Sequence, residues 1–329
     1  MEKKIYDDRK NFSISRLELL KKGFEGNSVI RSFDDVAIFC AGSYGRMEAH
    51  NKSDIDLFFI SDKCESQINK EQWRYCEMIN EVVKIVKKTS VDNISEQYLR
   101  VLGVEEMIKN LGGAEDDYFN HFTTRMLLLL ESYPLFNNEK YEIALERCVS
   151  SYFRDYPNHR SNFRPIFLFN DIVRYWKTLC LNYENKRNGS YIGEKTNVKQ
   201  KVKNFKLKYS RLTTCFATII ALSCYDRTVK QKDVISLTNF TPVERLKKVI
   251  ELNGDYSFHV KKILDKYYGF LELVSLGDDE LMKYFDSTEK RKKEFEKANQ
   301  YGNDIYALLE CVNGKECSMN GNVLRYLVV

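Results

Sequence analysis

The chain has 329 residues, 43% of them hydrophobic and 30% charged, which is enough for two domains with separate cores. Its formal net charge of +5 is mild, so the placement of charge matters more than the total. Nine cysteines without a CxxC pair and four isolated histidines argue against a zinc cage or a disulfide scaffold, and suit reduced thiols in the cytoplasm. The apolar stretch at 214–224 is too short for a membrane span, and the charged start, Met1-Glu2-Lys3-Lys4, lacks a signal core.

Only four prolines and 15 glycines point to long helices. Ile14, Leu17, Leu19 and Leu20 predict an amphipathic helix within the first 35 residues. The apolar run 36–41 is short enough for one buried strand. It breaks at Gly42-Ser43 and passes through Gly45-Arg46 into a polar segment. A second apolar run, 55–60, begins beside Asp54 and Asp56. Residues two apart on a strand share a face, so these two carboxylates stand side by side with Ile55 and Leu57 turned away. Paired hard oxygens at the mouth of a strand suit Mg2+, which takes one or two carboxylates plus substrate phosphates. The Gly-Ser turn supplies the complement. A strand that turns into a helix offers backbone N–H groups and a positive dipole end, Ser43 adds a hydroxyl, and Arg46 suits bidentate phosphate contact.

Further along, Gln72, Tyr75, Cys76, Ile79, Val82, Val83 and Val86 fall at helical spacing, and 97–102 reads as a strand. Gly112-Gly113 closes the first predicted domain, 1–115, and the acidic turn Glu115-Asp116-Asp117 opens a helical second domain, 116–329. Residues 124–131 predict a buried helix stopped by Pro134. Tyr141, Leu145, Cys148, Val149 and Tyr152 mark the next apolar face. A helix over 166–183 carries Asp171, Arg174 and Lys177, with Asp171 and Arg174 on one face. The most basic stretch, 186–211, starts as a loop and becomes a helix with Val202, Phe205, Leu212 and Phe216 as its stripe. Asn204, Lys208 and Arg211 then share an adjacent face. Thr241-Pro242-Val243-Glu244 is a capping box. The chain ends in an apolar tail, 322–329, whose Tyr326 carries a hydroxyl.

Gly42-Ser43, followed eleven positions on by Asp54-x-Asp56, resembles the polymerase-beta-type nucleotidyltransferase superfamily. The wording Gly42-Ser43-Tyr44-Gly45-Arg46 ahead of Ser53-Asp54-Ile55-Asp56-Leu57 is most similar to the branch that includes the PII uridylyltransferases. The resemblance implies an α+β fold, a small mixed-sheet nucleotidyltransferase domain followed by a helical domain. It implies that Asp54 and Asp56 hold two Mg2+ (or Mn2+) ions, with a third carboxylate from Glu96 or Asp92. It also implies that Gly42, Ser43, Arg46 and Ser53 bind the nucleotide, and that a lysine of the helical domain, Lys208, reaches its outer phosphates beside Arg174.

The activity implied is transfer of an NMP or dNMP from a nucleoside triphosphate to an acceptor hydroxyl, with release of pyrophosphate. The regulatory domains of the PII enzymes have no counterpart here. The first expectation is therefore template-independent synthesis or extension of an oligonucleotide, with a role in antiviral defence and an effector protein as partner. Transfer onto a protein or tRNA is the alternative, and a nucleotide-binding subunit without catalysis is the third.

Overall fold

The computed structural model describes residues 2–89, 94, 98–161, 163–188 and 194–314. Strand β1 (Val36–Ala41) is buried at every position. Its apolar residues are continuous because the strand lies inside a sheet with a layer on each face. β2 (Asp56–Ser61) pairs with it antiparallel, with Val36 opposite Ser61 and Ala41 opposite Asp56. β3 (Val101–Gly103) runs parallel to β2, and β4 (Tyr133–Phe136) runs antiparallel to β1. The sheet is mixed, in the order β3-β2-β1-β4. The strand expected over 97–102 is shorter than its sequence suggested, since residues 98–100 lie outside β3.

The described helices of the first part of the chain are α1 (Glu2–Gly26), α2 (Ser28–Arg31), the single turn α3 (Gly42–Gly45), α4 (Glu65–Lys70), α5 (Gln72–Lys88), α6 (Val104–Lys109), α7 (Ala114–Tyr118), α8 (His121–Glu131) and α9 (Asn138–Ser151). Leu17, Leu20 and Phe24 of α1 and Tyr75, Met78 and Val82 of α5 pack with Val36, Ile38 and Cys40 on one face of the sheet. Leu19, counted in the apolar stripe from the sequence, is 49% exposed, because i and i+2 on a helix do not share a face. On the other sheet face, Phe39 stacks on Phe58 at 5.1 Å, and Tyr141 of α9 lies 6.1 Å from Phe39.

The chain divides into two compact units. One holds residues 7–154 and 234–241, the other 1–6, 155–233 and 242–329. The sheet-bearing unit thus runs past the division expected at 115, because β4 completes the sheet and α9 covers it. Of the acidic turn expected to open the helical domain, Asp116 is fully buried against Arg125, while Glu115 and Asp117 are exposed. Pro134 stands in β4 rather than simply ending a helix. An edge strand tolerates a residue that cannot donate to the ladder.

The second unit is helical, with α10 (Ile166–Asn188), α11 (Glu194–Lys206) and α12 (Leu212–Ser223); α13 (Gln231–Thr238) runs from it into the sheet unit, and α14 (Pro242–Leu252), α15 (Ser257–Val274), α16 (Asp278–Asp286) and α17 (Thr288–Asn313) follow. A π-helical segment, Leu207–Arg211, joins α11 to α12. Its wider turn shifts the helical phase, so the apolar stripe does not continue straight from Phe205 to Phe216. Tyr209 and Cys215 take the interior places, while Leu212 and Phe216 are half-buried. Tyr209 stacks on Phe270 at 4.7 Å and on Tyr301 at 4.6 Å. Among the described residues, no helix is long and apolar enough to cross a membrane.

Candidate active site

β1 ends at Ala41 and the chain turns at once through α3. Gly42 has φ +70°, and a Cβ there would lie 2.5 Å from Asp56 Oδ2. A Cβ on Gly45 would lie 1.9 Å from the carbonyl oxygen of Glu131, at the end of α8. One glycine is required by its backbone conformation and by a carboxylate, the other by a neighbouring main chain. The turn closes through N–H donation from Arg46 to the Gly42 carbonyl (3.0 Å), Met47 to Tyr44 (3.0 Å) and Glu48 to Ser43 (2.7 Å). A one-turn helix has little macrodipole. What it offers an anion is the set of first-turn N–H groups that have no intrahelical acceptor. The half-buried Ser43 side chain makes no hydrogen bond among the described residues, which leaves its hydroxyl available beside them.

Gly42→Ala is expected to lose about 1–2 kcal/mol of stability from the left-handed backbone alone. Its Cβ also displaces the Asp56 carboxylate, so chemical denaturation and turnover should separate, with activity falling further than unfolding explains. Equal stability and activity in Gly42→Ala would remove the close approach from the argument.

The loop that delivers Asp54 is held by Ser53. Its Oγ accepts the His50 N–H at 3.0 Å, and its own N–H donates to the His50 carbonyl at 2.9 Å. Asp54 is exposed and has no partner among the described residues. Ile55 is fully buried and bridges to Ile94, which fixes the alternation and leaves the two aspartates on the opposite face. Asp56 is half-buried and shares the face of Ala41, its partner across the ladder. Its charge is felt inside the sheet. Burial and the Asp56 carboxylate push the Cys40 thiol far above its usual range, while Lys21 pulls the other way.

Arg46 is 7% exposed and is committed elsewhere than to open solvent. Nε donates to Glu48 Oε2 at 2.8 Å and Nη1 to Glu131 Oε2 at 2.6 Å, and both carboxylates are buried. The Glu48 carbonyl in turn accepts from Arg9 Nη1 at 2.8 Å, and the Ser13 hydroxyl accepts the Ala49 N–H at 3.1 Å. These contacts brace the segment after the turn against α1 and α8. Glu131 was missed from the sequence because it lies 85 residues from Arg46 inside a leucine run, where nothing marks its partner.

Gly42, Ser43, Asp56 and the Asp54 loop are therefore gathered at one end of β1 and β2. Arg174 and Lys208 belong to the helical unit. Arg174 pairs with Asp171 at 3.5 Å, and Lys208, on the π-helical segment, donates to Asn299 of α17 at 3.0 Å. Glu96, Asp92 and Tyr326 lie outside the described residues.

The donor set fits a hard divalent cation. It offers two carboxylates two residues apart, one exposed on the loop before β2 and one at the start of β2 beside a glycine that has no side chain. Among the described residues, no three His, Cys, Asp or Glu side chains cluster as a closed metal cage. An open pair shared with substrate phosphates needs none.

Residues 26–109 match the family model described as nucleotidyltransferase domain. The matched span contains β1, the Gly-Ser turn, β2 and β3, and ends with α6. The N-terminal part of the chain is accordingly a nucleotidyltransferase domain of the polymerase-beta type, followed by a helical region. A search among curated proteins finds no match.

Proposed function

We propose that the chain transfers an NMP or dNMP from a nucleoside triphosphate to an acceptor hydroxyl. The acceptor oxygen attacks the α-phosphorus, the bond to the pyrophosphate leaving group breaks, and the acceptor proton is lost. The observation that carries this reading is the close approach of Asp56 to Gly42, which sets a carboxylate against a turn whose first N–H groups have no intrahelical acceptor. Asp54 and Asp56 are the residues that would hold two Mg2+ or Mn2+ ions. Bound there, the metal would neutralise triphosphate charge and favour the ionised acceptor hydroxyl. Ser43 and the α3 backbone hold phosphate oxygens, and Ser53 fixes the loop that presents Asp54. The Arg46–Glu48–Glu131 brace keeps the turn in place, so Arg46 contributes to nucleotide binding through position. Glu96, with Asp92 as its alternative, takes the proton or helps coordinate the acceptor oxygen. Lys208 and Arg174 are assigned to the outer phosphates.

The acceptor is read as an oligonucleotide or RNA end, extended without a template. The support is the density of lysines on α11 and the π segment, with Lys199, Lys201, Lys203, Lys206 and Lys208 on one continuous helical run. Incubation with each NTP and dNTP plus Mg2+ is expected to release pyrophosphate and to give a ladder on a denaturing gel. Excess EDTA should abolish both, and Mg2+ in excess of the chelator should restore them. A full panel of nucleotides and RNA ends giving no pyrophosphate would overturn the reading. Product formed only when a protein or tRNA is added would move the acceptor to that class.

A further inference from the structure

The histidines have no spacing that suits a metal cage, yet one of them, His50, stands four residues before Asp54. We infer that its imidazole is a positioning residue for nucleotidyl transfer. By accepting a backbone N–H inside the turn 50–53, it holds Asp54 at the bearing that a divalent cation requires. The inference rests on the function proposed above.

On both sides of this turn the chain is already fixed. Upstream, Met47 has φ +59°, a left-handed conformation that a residue with a side chain keeps only where its surroundings impose it, and that side chain is buried in the core. The Glu48 carbonyl and the Ala49 N–H are held by Arg9 and Ser13 of α1. Downstream, Ile55 is fully buried and bridges to Ile94, and Asp56 enters the ladder with β1. Residues 50–54 cross the interval between these anchors. Asp54 lies outside the ladder and has no partner of its own among the described residues. Its carboxylate is therefore only as well placed as the turn before it.

Three hydrogen bonds within that turn involve His50. Two join its backbone to Ser53, at 3.0 and 2.9 Å. The third uses the ring, whose Nδ1 accepts the Lys52 N–H at 3.2 Å. A backbone N–H can only donate, so Nδ1 carries no proton in this geometry and the ring hydrogen sits on Nε2. A side-chain acceptor two residues before the N–H is the arrangement of an Asx turn, which asparagine and aspartate make by the same reach. Asn51 and Lys52 are exposed, so water replaces the ring acceptor when it is removed, and the fold loses little. The cation site loses more, because a ligand on a loosened turn must be ordered again when the ion binds.

The test uses the full chain with Mn2+ as the probe and electron paramagnetic resonance to follow the free ion. His50→Ala removes the ring acceptor and leaves both backbone bonds to Ser53, whereas His50→Asn returns an acceptor at the Asx position. The wild type is expected to bind Mn2+ and the double variant Asp54→Ala/Asp56→Ala to lose that binding. His50→Ala should weaken Mn2+ about fivefold, the worth of one net hydrogen bond, and His50→Asn should bring it back to within about twofold. Both variants should keep the cooperative unfolding of the wild type. In pyrophosphate release, the loss in His50→Ala should fall more on the Mg2+ requirement than on kcat, and His50→Asn should reverse it. Mn2+ binding that depends on the His50 acceptor, in a chain that never releases pyrophosphate, would keep the positioning role and sink the transferase reading. Pyrophosphate release with one Mg2+ requirement in wild type and His50→Ala would keep the transferase and overturn the role. An asparagine no better than alanine, or no Mn2+ held beyond that of the aspartate double variant, would overturn it as well.

Discussion

Asp56→Asn is expected to lower the single-turnover rate of nucleotidyl transfer by at least about 10³-fold, with the unfolding midpoint little changed. The asparagine keeps the shape of the side chain over Gly42 and removes its charge, so the change reads electrostatics rather than packing. Asp54→Asn, at an exposed position, should cost a similar factor and even less stability. Groups that act as one unit are not additive, so the double variant should be about as slow as the worse single one. Labelled NTP, Mg2+ and the identified acceptor give the rate, and a metal titration should show the remaining activity requiring more Mg2+ or Mn2+. Retention of a tenth or more of the wild-type rate by Asp56→Asn would remove this carboxylate from the reaction.

The residues that support this prediction were the ones most legible in the sequence. Gly42, Ser43, Asp54 and Asp56 are close in sequence and stand at the adjoining ends of two paired strands, so apolar runs and alternation were enough to bring them to one end of the sheet. The strand β1 was predicted at its observed bounds because a six-residue apolar run ended by Gly-Ser is too short for a buried helix. What could not be read depends on distant partners. Arg46 carries the same charge whether it meets a phosphate or two buried glutamates, and only the fold brings Glu131 to it. The unit boundary failed to show at 115 because a short edge strand such as Tyr133–Phe136 has almost no signal of its own, and its proline argued against a strand. The π-helical segment left no mark either. A phase shift within a lysine-rich run looks like an ordinary amphipathic helix until Tyr209 is seen stacked between Phe270 and Tyr301.

The same limit governs the largest expected effect on stability. Asp116→Asn should destabilise the sheet-bearing unit by about 3–5 kcal/mol, which lowers its thermal midpoint by on the order of 10 °C. Arg125 and Asp116 are fully buried and joined by two bonds of 2.8 Å, Nη1 to Oδ1 and Nη2 to Oδ2. The same guanidinium donates to the Met107 carbonyl at 2.6 Å and to the Tyr152 hydroxyl at 2.8 Å, linking α6, α7 and the end of α9 to α8. Burial alone would discourage its charge; hydrogen bonding to Asp116 and the neighbouring Tyr152 hold it above its ordinary range. Asparagine leaves that cation uncompensated in the interior, and the cost of an unpaired buried charge exceeds the worth of the pair itself. The double variant Asp116→Leu/Arg125→Met should therefore recover most of the loss. It should not recover all of it, because the Met107 carbonyl and the Tyr152 hydroxyl lose their donor. Denaturant unfolding of the two single variants and the double closes the cycle, and a double variant no more stable than either single one would mean that the pair is not the dominant contact of this brace.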